Sequence, residues 1–173
     1  MQIAAAATAA VPMIACKGSL SPWRCLTTDQ AQTLEAICER LIPADQDPGA
    51  AWAGVVIYID RQLTGPYRKF RRIYRWGLAG INTTSLDRFG KLFTSLNSSQ
   101  QDAVLQSMES GEARGDQWKQ VSAKSFFELV LQHTQQGFYG DPRHGGNRER
   151  MSWKMLGLAY PPVRGRTGQG AGG

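Results

Sequence analysis

Thr28-Asp29-Gln30-Ala31-Gln32-Thr33-Leu34-Glu35-Ala36-Ile37-Cys38-Glu39-Arg40-Leu41-Ile42-Pro43 is the stretch whose reading decides the fold. Ala31, Leu34, Ile37, Cys38, Leu41 and Ile42 recur at steps of three and four, the spacing that puts side chains on one face of an α-helix. Thr28 is a good N-cap and Asp29 complements the positive end of the helix dipole. Pro43 cannot continue the helix, and 45–50 (Asp-Gln-Asp-Pro-Gly-Ala) follows as a turn-rich loop.

Outward from this helix the pattern repeats. Val55, Val56, Ile59 and Leu63 predict a helix over 51–63, and Gly65-Pro66 breaks it. Tyr67, Phe70, Ile73, Tyr74 and Leu78 predict a third over 66–81, and a shorter one follows over 86–93. Asn97 or Ser98 caps the next, with Gln101 at capping-box distance from Ser98; it buries Val104, Leu105 and Met108 and ends near Gly111. Phe126, Phe127, Val130 and Leu131 mark a helix over 123–136, and 148–156 reads as a last short one. Sustained period-two alternation is not found. The expectation is an all-α single domain of about seven helices with long Gly- and Pro-containing loops. It spans 26–160, between an apolar segment (1–25) and a Gly-rich tail (161–173).

The chain has 173 residues, 42% hydrophobic and 20% charged, a globular composition with room for one sizeable core. It leaves little room for a dinucleotide-binding fold plus a substrate domain. The two His (His133, His144) and three Cys (Cys16, Cys25, Cys38) form no CxxCH haem motif and no paired CxxC metal motif. Asp45 and Asp47 share a loop but fall short of an EF-hand ligand set. His133, on a helix beside Phe126 and Val130, reads as a packed residue. The tail's Gly168-Gln169-Gly170-Ala171-Gly172-Gly173 satisfies GxGxxG but has no strand before it and no helix after it, so it carries no phosphate-binding geometry. Asn82-Thr83-Thr84 and Asn97-Ser98-Ser99 match glycosylation sequons, as short motifs often do by chance.

Charge is unevenly placed on a net of +6. Tyr67 to Arg75 holds five cations (Arg68, Lys69, Arg71, Arg72, Arg75) and no acid, and the C-terminal thirty-odd residues are also basic. Such patches suit nucleic acid, anionic membrane or an acidic protein surface, or are simply solvated. Residues 1–16 carry no charge and six of the first ten are Ala, the composition of an export-signal core too short to span a membrane stably. Ile14-Ala15-Cys16 resembles a lipoprotein cleavage site. In an oxidising compartment Cys25 can pair with Cys38 or with another chain, whereas a position on the apolar stripe of the first helix makes Cys38 a buried free thiol.

The densest stretch is 137–157. Gly137 is placed to end a helix with positive φ. Asp141-Pro142 and Gly145-Gly146 fix turns, and Asn147 can cap the next helix. Phe138, Tyr139 and Trp153 add aromatic surface. One reading is a plug that closes the helical core; the other is a shaped protein-binding surface, since aromatics and Arg supply most hot-spot energy. A stand-alone enzyme using His144 and Asp141, and a small basic nucleic-acid-binding or interaction domain, are the competing functions.

Several blocks occur in a recognisable order: Leu41-Ile42-Pro43-Ala44-Asp45, Pro48-Gly49-Ala50, Tyr74-Arg75-Trp76-Gly77-Leu78, Phe89-Gly90-Lys91-Leu92-Phe93, and Gly137-Phe138-Tyr139-Gly140-Asp141-Pro142 through Gly145-Gly146-Asn147 to Trp153-Lys154-Met155-Leu156-Gly157. Over about 26–160 the chain resembles the gluconate 2-dehydrogenase subunit 3 family, the small gamma subunits of bacterial flavin-dependent sugar and sugar-acid dehydrogenases. The resemblance implies a non-catalytic subunit with no catalytic, cofactor or metal residues of its own. It binds, stabilises and helps export a large glucose-methanol-choline-type flavoprotein that holds FAD and oxidises a CH–OH group. A cytochrome c subunit often takes the electrons. The family's small subunit usually travels by a twin-arginine signal to the periplasm, with any membrane association indirect; no Arg-Arg pair precedes the apolar stretch here. His144 stands where the family more often has an aromatic residue. The partner-binding residues expected are Phe138, Tyr139, Asp141, Pro142, Arg143, Gly145, Gly146, Asn147 and Trp153, with Arg68 and Arg72 from the basic run.

Overall fold

The computed structural model describes residues 22–158. The apolar start with Cys16, and the Gly-rich tail, lie outside the described residues. Six α-helices follow one another: α1 Thr28–Leu41, α2 Val55–Thr64, α3 Arg71–Phe89, α4 Ser98–Glu109, α5 Ala123–Tyr139 and α6 Met151–Met155, with short 3-10 turns between them and no strand among the described residues. None of these helices is long and apolar enough to cross a membrane.

α5 is the central element and packs against α1, α2, α3 and α4. Leu34, Ile37 and Cys38 of α1, Val55, Ile59 and Leu63 of α2, Tyr74, Leu78 and Ile81 of α3, Val104 and Met108 of α4, and Phe126, Val130 and Phe138 of α5 are buried together. Cys38 is a free thiol whose Sγ lies 3.2 Å from Thr134 Oγ1; burial pushes its pKa up to about 12. Cys25 is also free and half-buried.

Helix boundaries differ from the expectation in instructive ways. α1 is capped by Thr27 rather than Thr28, because Thr27 and Gln30 satisfy each other's backbone N–H in a reciprocal pair. Asn97 and Gln100 do the same for α4, while Gln101 is spent on the Phe93 carbonyl, 3.0 Å away. The predicted 66–81 and 86–93 helices are one helix. Thr83, Thr84 and Ser85 return their hydroxyls to the carbonyls four residues back, and Asn82 bonds Thr33 Oγ1 and accepts from Phe93 N–H, so the polar run stays helical. The stop is Gly90, at φ 68°. The second helix starts four residues later than predicted, after Gly54 in a left-handed conformation.

Gly137 does not end a helix. α5 runs through it to Tyr139, and the missing side chain serves packing instead. A Cβ there would lie 2.9 Å from Tyr58 Cδ1, and one on Gly146 would collide with the Gly137 carbonyl. The predicted 148–156 helix is a 3-10 turn (Arg148–Arg150) followed by α6, because Glu149 and Arg150 adopt positive φ and break the helical path.

Candidate functional site

The loop from Gly140 to Arg150 is strained and heavily braced. Asn147, Glu149 and Arg150 have φ of 46°, 56° and 59°, the left-handed region that costs a non-glycine residue about 1–2 kcal/mol. The bracing is local and specific. Buried Asn147 donates to the Gly140 carbonyl (2.8 Å) and accepts from Ser152 N–H (3.0 Å), which starts α6. Trp153 Nε1 donates to the Tyr139 carbonyl (2.7 Å), tying α6 to the end of α5. Arg148 N–H bonds the Ala53 carbonyl, fixing the loop to the turn before α2.

Asp141 accepts from Arg143 N–H and pairs with the Arg143 guanidinium at 2.6 Å; these hydrogen bonds hold its carboxyl below the ordinary value. The carboxylate so engaged points its bonding at Arg143, not at exposed His144. Asp45 closes its own loop by accepting from Asp47 N–H.

The segment expected to meet a partner therefore divides. Phe138 (1% exposed), Gly146, Asn147 and Trp153 are buried within the chain, so their side chains or backbone pack the subunit's own interior and offer a partner no free face. Tyr139, Arg143 and, partly, Asp141, Pro142 and Gly145 reach the surface. The surface also gains residues that turn chemistry did not single out. Of the seven large hydrophobics left exposed among the described residues, Tyr139 (45%), Met155 (43%) and Leu156 (58%) lie in this one segment and Leu158 (56%) directly follows it. A fifth, Trp52, sits under the Arg148 guanidinium at 5.6 Å from the ring centre. The apolar run that surrounds Gly157 was their signal in the sequence.

Tyr139 and Met155 line a cavity of about 380 Å³ with Leu41, Ile42 and Pro43 from the end of α1 and Leu131 of α5. Tyr139 also borders a second concavity with Tyr58, Gln132, Gln135 and Gln136, so the concave surface continues across the α5 terminus. Arg72 is elsewhere: it lines a different cavity at the start of α3, with its guanidinium over the Trp76 ring, and Arg68 is exposed in the 3-10 turn just before α3. No residue is shared between the Arg72 cavity and the two around Tyr139.

His133 is buried (3% exposed) and stacked flat on Tyr67, with Nδ1 2.9 Å from the Tyr74 hydroxyl. Burial lowers its pKa to about 4. Sequence reasoning did not single out Asp60. Its buried carboxylate accepts from three successive backbone amides, Arg24, Cys25 and Leu26, and so anchors the segment before α1 onto α2.

The arrangement is that of a small helical protein presenting a rigid apolar face, built from the ends of α1 and α5 and the braced α6. The profile of the gluconate 2-dehydrogenase subunit 3 family matches residues 28–159, and the chain belongs to that family. The family name describes a subunit of a multi-subunit dehydrogenase, as the ordered sequence blocks imply. Neither the curated proteins nor the solved structures searched contain a match to the chain.

Proposed function

We propose that the chain is the non-catalytic small subunit of a dehydrogenase complex and docks on its large subunit through the face around Tyr139, Met155, Leu156 and Leu158. The observation that carries this is the concentration of exposed apolar side chains on a backbone held in strained, cross-braced form. Contiguous apolar patches on a surface mark interaction sites. A rigid presentation lowers the ordering entropy lost on binding. The large subunit in this reading is a glucose-methanol-choline-type flavoprotein that holds FAD and oxidises a sugar or sugar acid. The small subunit stabilises it and accompanies it to the periplasm, the apolar start serving as the export signal, and a cytochrome c subunit is a further partner.

Purifying the tagged chain from cells that express it natively, with flavin absorbance and mass identification of what comes with it, tests this. A co-purifying flavoprotein is expected. Tyr139→Ala and Leu156→Ser should each lose it at an unchanged melting temperature, while Leu86→Ser, at an exposed position of α3, should retain it. Truncating such an anchor typically costs on the order of 2–4 kcal/mol of binding. Absence of any flavoprotein, or full retention by both variants, would overturn the assignment.

A further inference from the structure

The segment before α1 and the first turns of α3 enclose a cavity of about 410 Å³ lined by Arg24, Cys25, Leu63, Arg71, Arg72 and Arg75 among others. Four arginines line it, Arg72 with its guanidinium stacked on Trp76, and among the described residues none of them forms an ion pair with a carboxylate. Asp60 lies behind the Cys25 backbone, but its oxygens are taken by three amides. Those amides fix one wall. Arg71 fixes the other, its Nε donating to the Leu63 carbonyl at 2.6 Å. Arg71 also hydrogen-bonds the Cys25 thiol, while the guanidinium groups of Arg24 and Arg75 have no protein acceptor among the described residues.

Placement adds to the local positive charge. Arg71, Arg72 and Arg75 open α3, and the first turn of that helix holds no acid. A helix N-terminus carries about half a positive charge, so cations there are disfavoured and an anion is favoured. Four exposed arginines around that helix end concentrate a positive potential to which a multivalent anion is complementary. Arginine's planar fork suits carboxylate and phosphate groups two bonds at a time. The cavity volume falls within the range of small-molecule sites.

We propose that this cavity binds a small polyanion carrying two or more carboxylate or phosphate groups. It is separate from the apolar face and does not rest on the flavoprotein reading. Cys25 gives a reporter at the site itself: its thiol is half-buried in the lining, whereas Cys38 is sealed in the core.

The test is titration of the full chain with pyrophosphate and with citrate at low ionic strength, followed by calorimetry and by the rate at which iodoacetamide labels Cys25, read by peptide mass mapping. Expected is binding of at least one of the two at submillimolar concentration, weakened by added salt, with slower labelling of Cys25. Arg75→Gln, which removes a side chain with no internal bond, should weaken it about tenfold or more. Arg71→Gln should do the same. Arg114→Gln, outside this cavity, should not. No binding of either anion, binding unchanged in Arg75→Gln, or binding only of a glutamate-rich peptide (an acidic protein segment instead) would each overturn the proposal.

Discussion

Lowering the pH should loosen this protein through His133, by an amount the surroundings of the ring define. The imidazole is stacked on Tyr67 with ring centres 4.0 Å apart and has Phe70 edge-on at 5.4 Å. Tyr74 is fully buried, which raises its hydroxyl pKa and keeps it neutral, and that hydroxyl shares a hydrogen bond with Nδ1 of the neutral ring. A second proton would place a charge among aromatic rings, which is why burial lowers the His133 pKa from 6.5 to about 4. Above the unfolded value neither state binds the proton and the group contributes nothing. Between about 6.5 and about 4 the unfolded chain is protonated and the folded one is not, so stability falls as pH falls. Each pH unit is worth about 1.36 kcal/mol, so roughly 3 kcal/mol is lost across the window. Urea unfolding followed by circular dichroism at pH 7.5, 6.5, 5.5 and 4.5 measures this. His133→Gln keeps an acceptor for Tyr74 and cannot titrate. It should be less stable at pH 7.5 yet show a slope shallower by about one proton below pH 6.5. Carboxylates titrate in both proteins and cancel in the difference. Equal slopes in the two proteins would refute the reasoning.

Asp60→Ala should cost about 2–4 kcal/mol in urea unfolding and speed labelling of Cys25, because the three amides at Arg24, Cys25 and Leu26 lose their acceptor; unchanged stability would show that the segment before α1 is held by other contacts. Ser152→Ala should be neutral or stabilise by up to about 1 kcal/mol, since the buried Ser152 hydroxyl has no hydrogen-bond partner among the described residues; a loss above that size would mean the hydroxyl is bonded in solution.

The helical class, the core stripes and the packed state of His133 and Cys38 were legible in the sequence because 3.6-residue periodicity is a one-dimensional signal. Boundaries were legible only where one residue decides. Pro43 ends α1 cleanly, but the α1 cap depends on which of two adjacent threonines finds a glutamine three residues on, and only Thr27 does. The Asn82-to-Ser85 run reads as a break by propensity, yet it stays helical through bonds to residues 49 positions upstream and 11 downstream. Gly137 shows the same limit from the other side. Its freedom to adopt positive φ suggests a helix end, while the fold uses its lack of a side chain to admit Tyr58 and Gly146. The 137–157 segment was recognisable as special from its turn residues, but which of its aromatics face out is a property of tertiary packing. Phe138 and Tyr139 are neighbours, and one is buried while the other is not.

That division fits the reading of the segment as a core plug and leaves an exposed remainder. Asn147, Trp153 and Gly146 close the core, and in doing so they fix the direction in which Tyr139, Met155 and Leu156 leave it. Three non-glycine residues at positive φ are held in the loop that covers Phe138, at a local cost in backbone strain. The strain persists because Asn147 spans it, bonding Gly140 behind and Ser152 ahead, and this sets where α6 begins. A short helix of five residues gains little stability from its own hydrogen bonds. Its position is therefore imposed by Asn147 and Trp153, and the apolar residues at its end are held out by structure inside the subunit. Such a surface makes physical sense when its exposed carbon is covered in the assembled state, which is what membership of a subunit family leads one to expect.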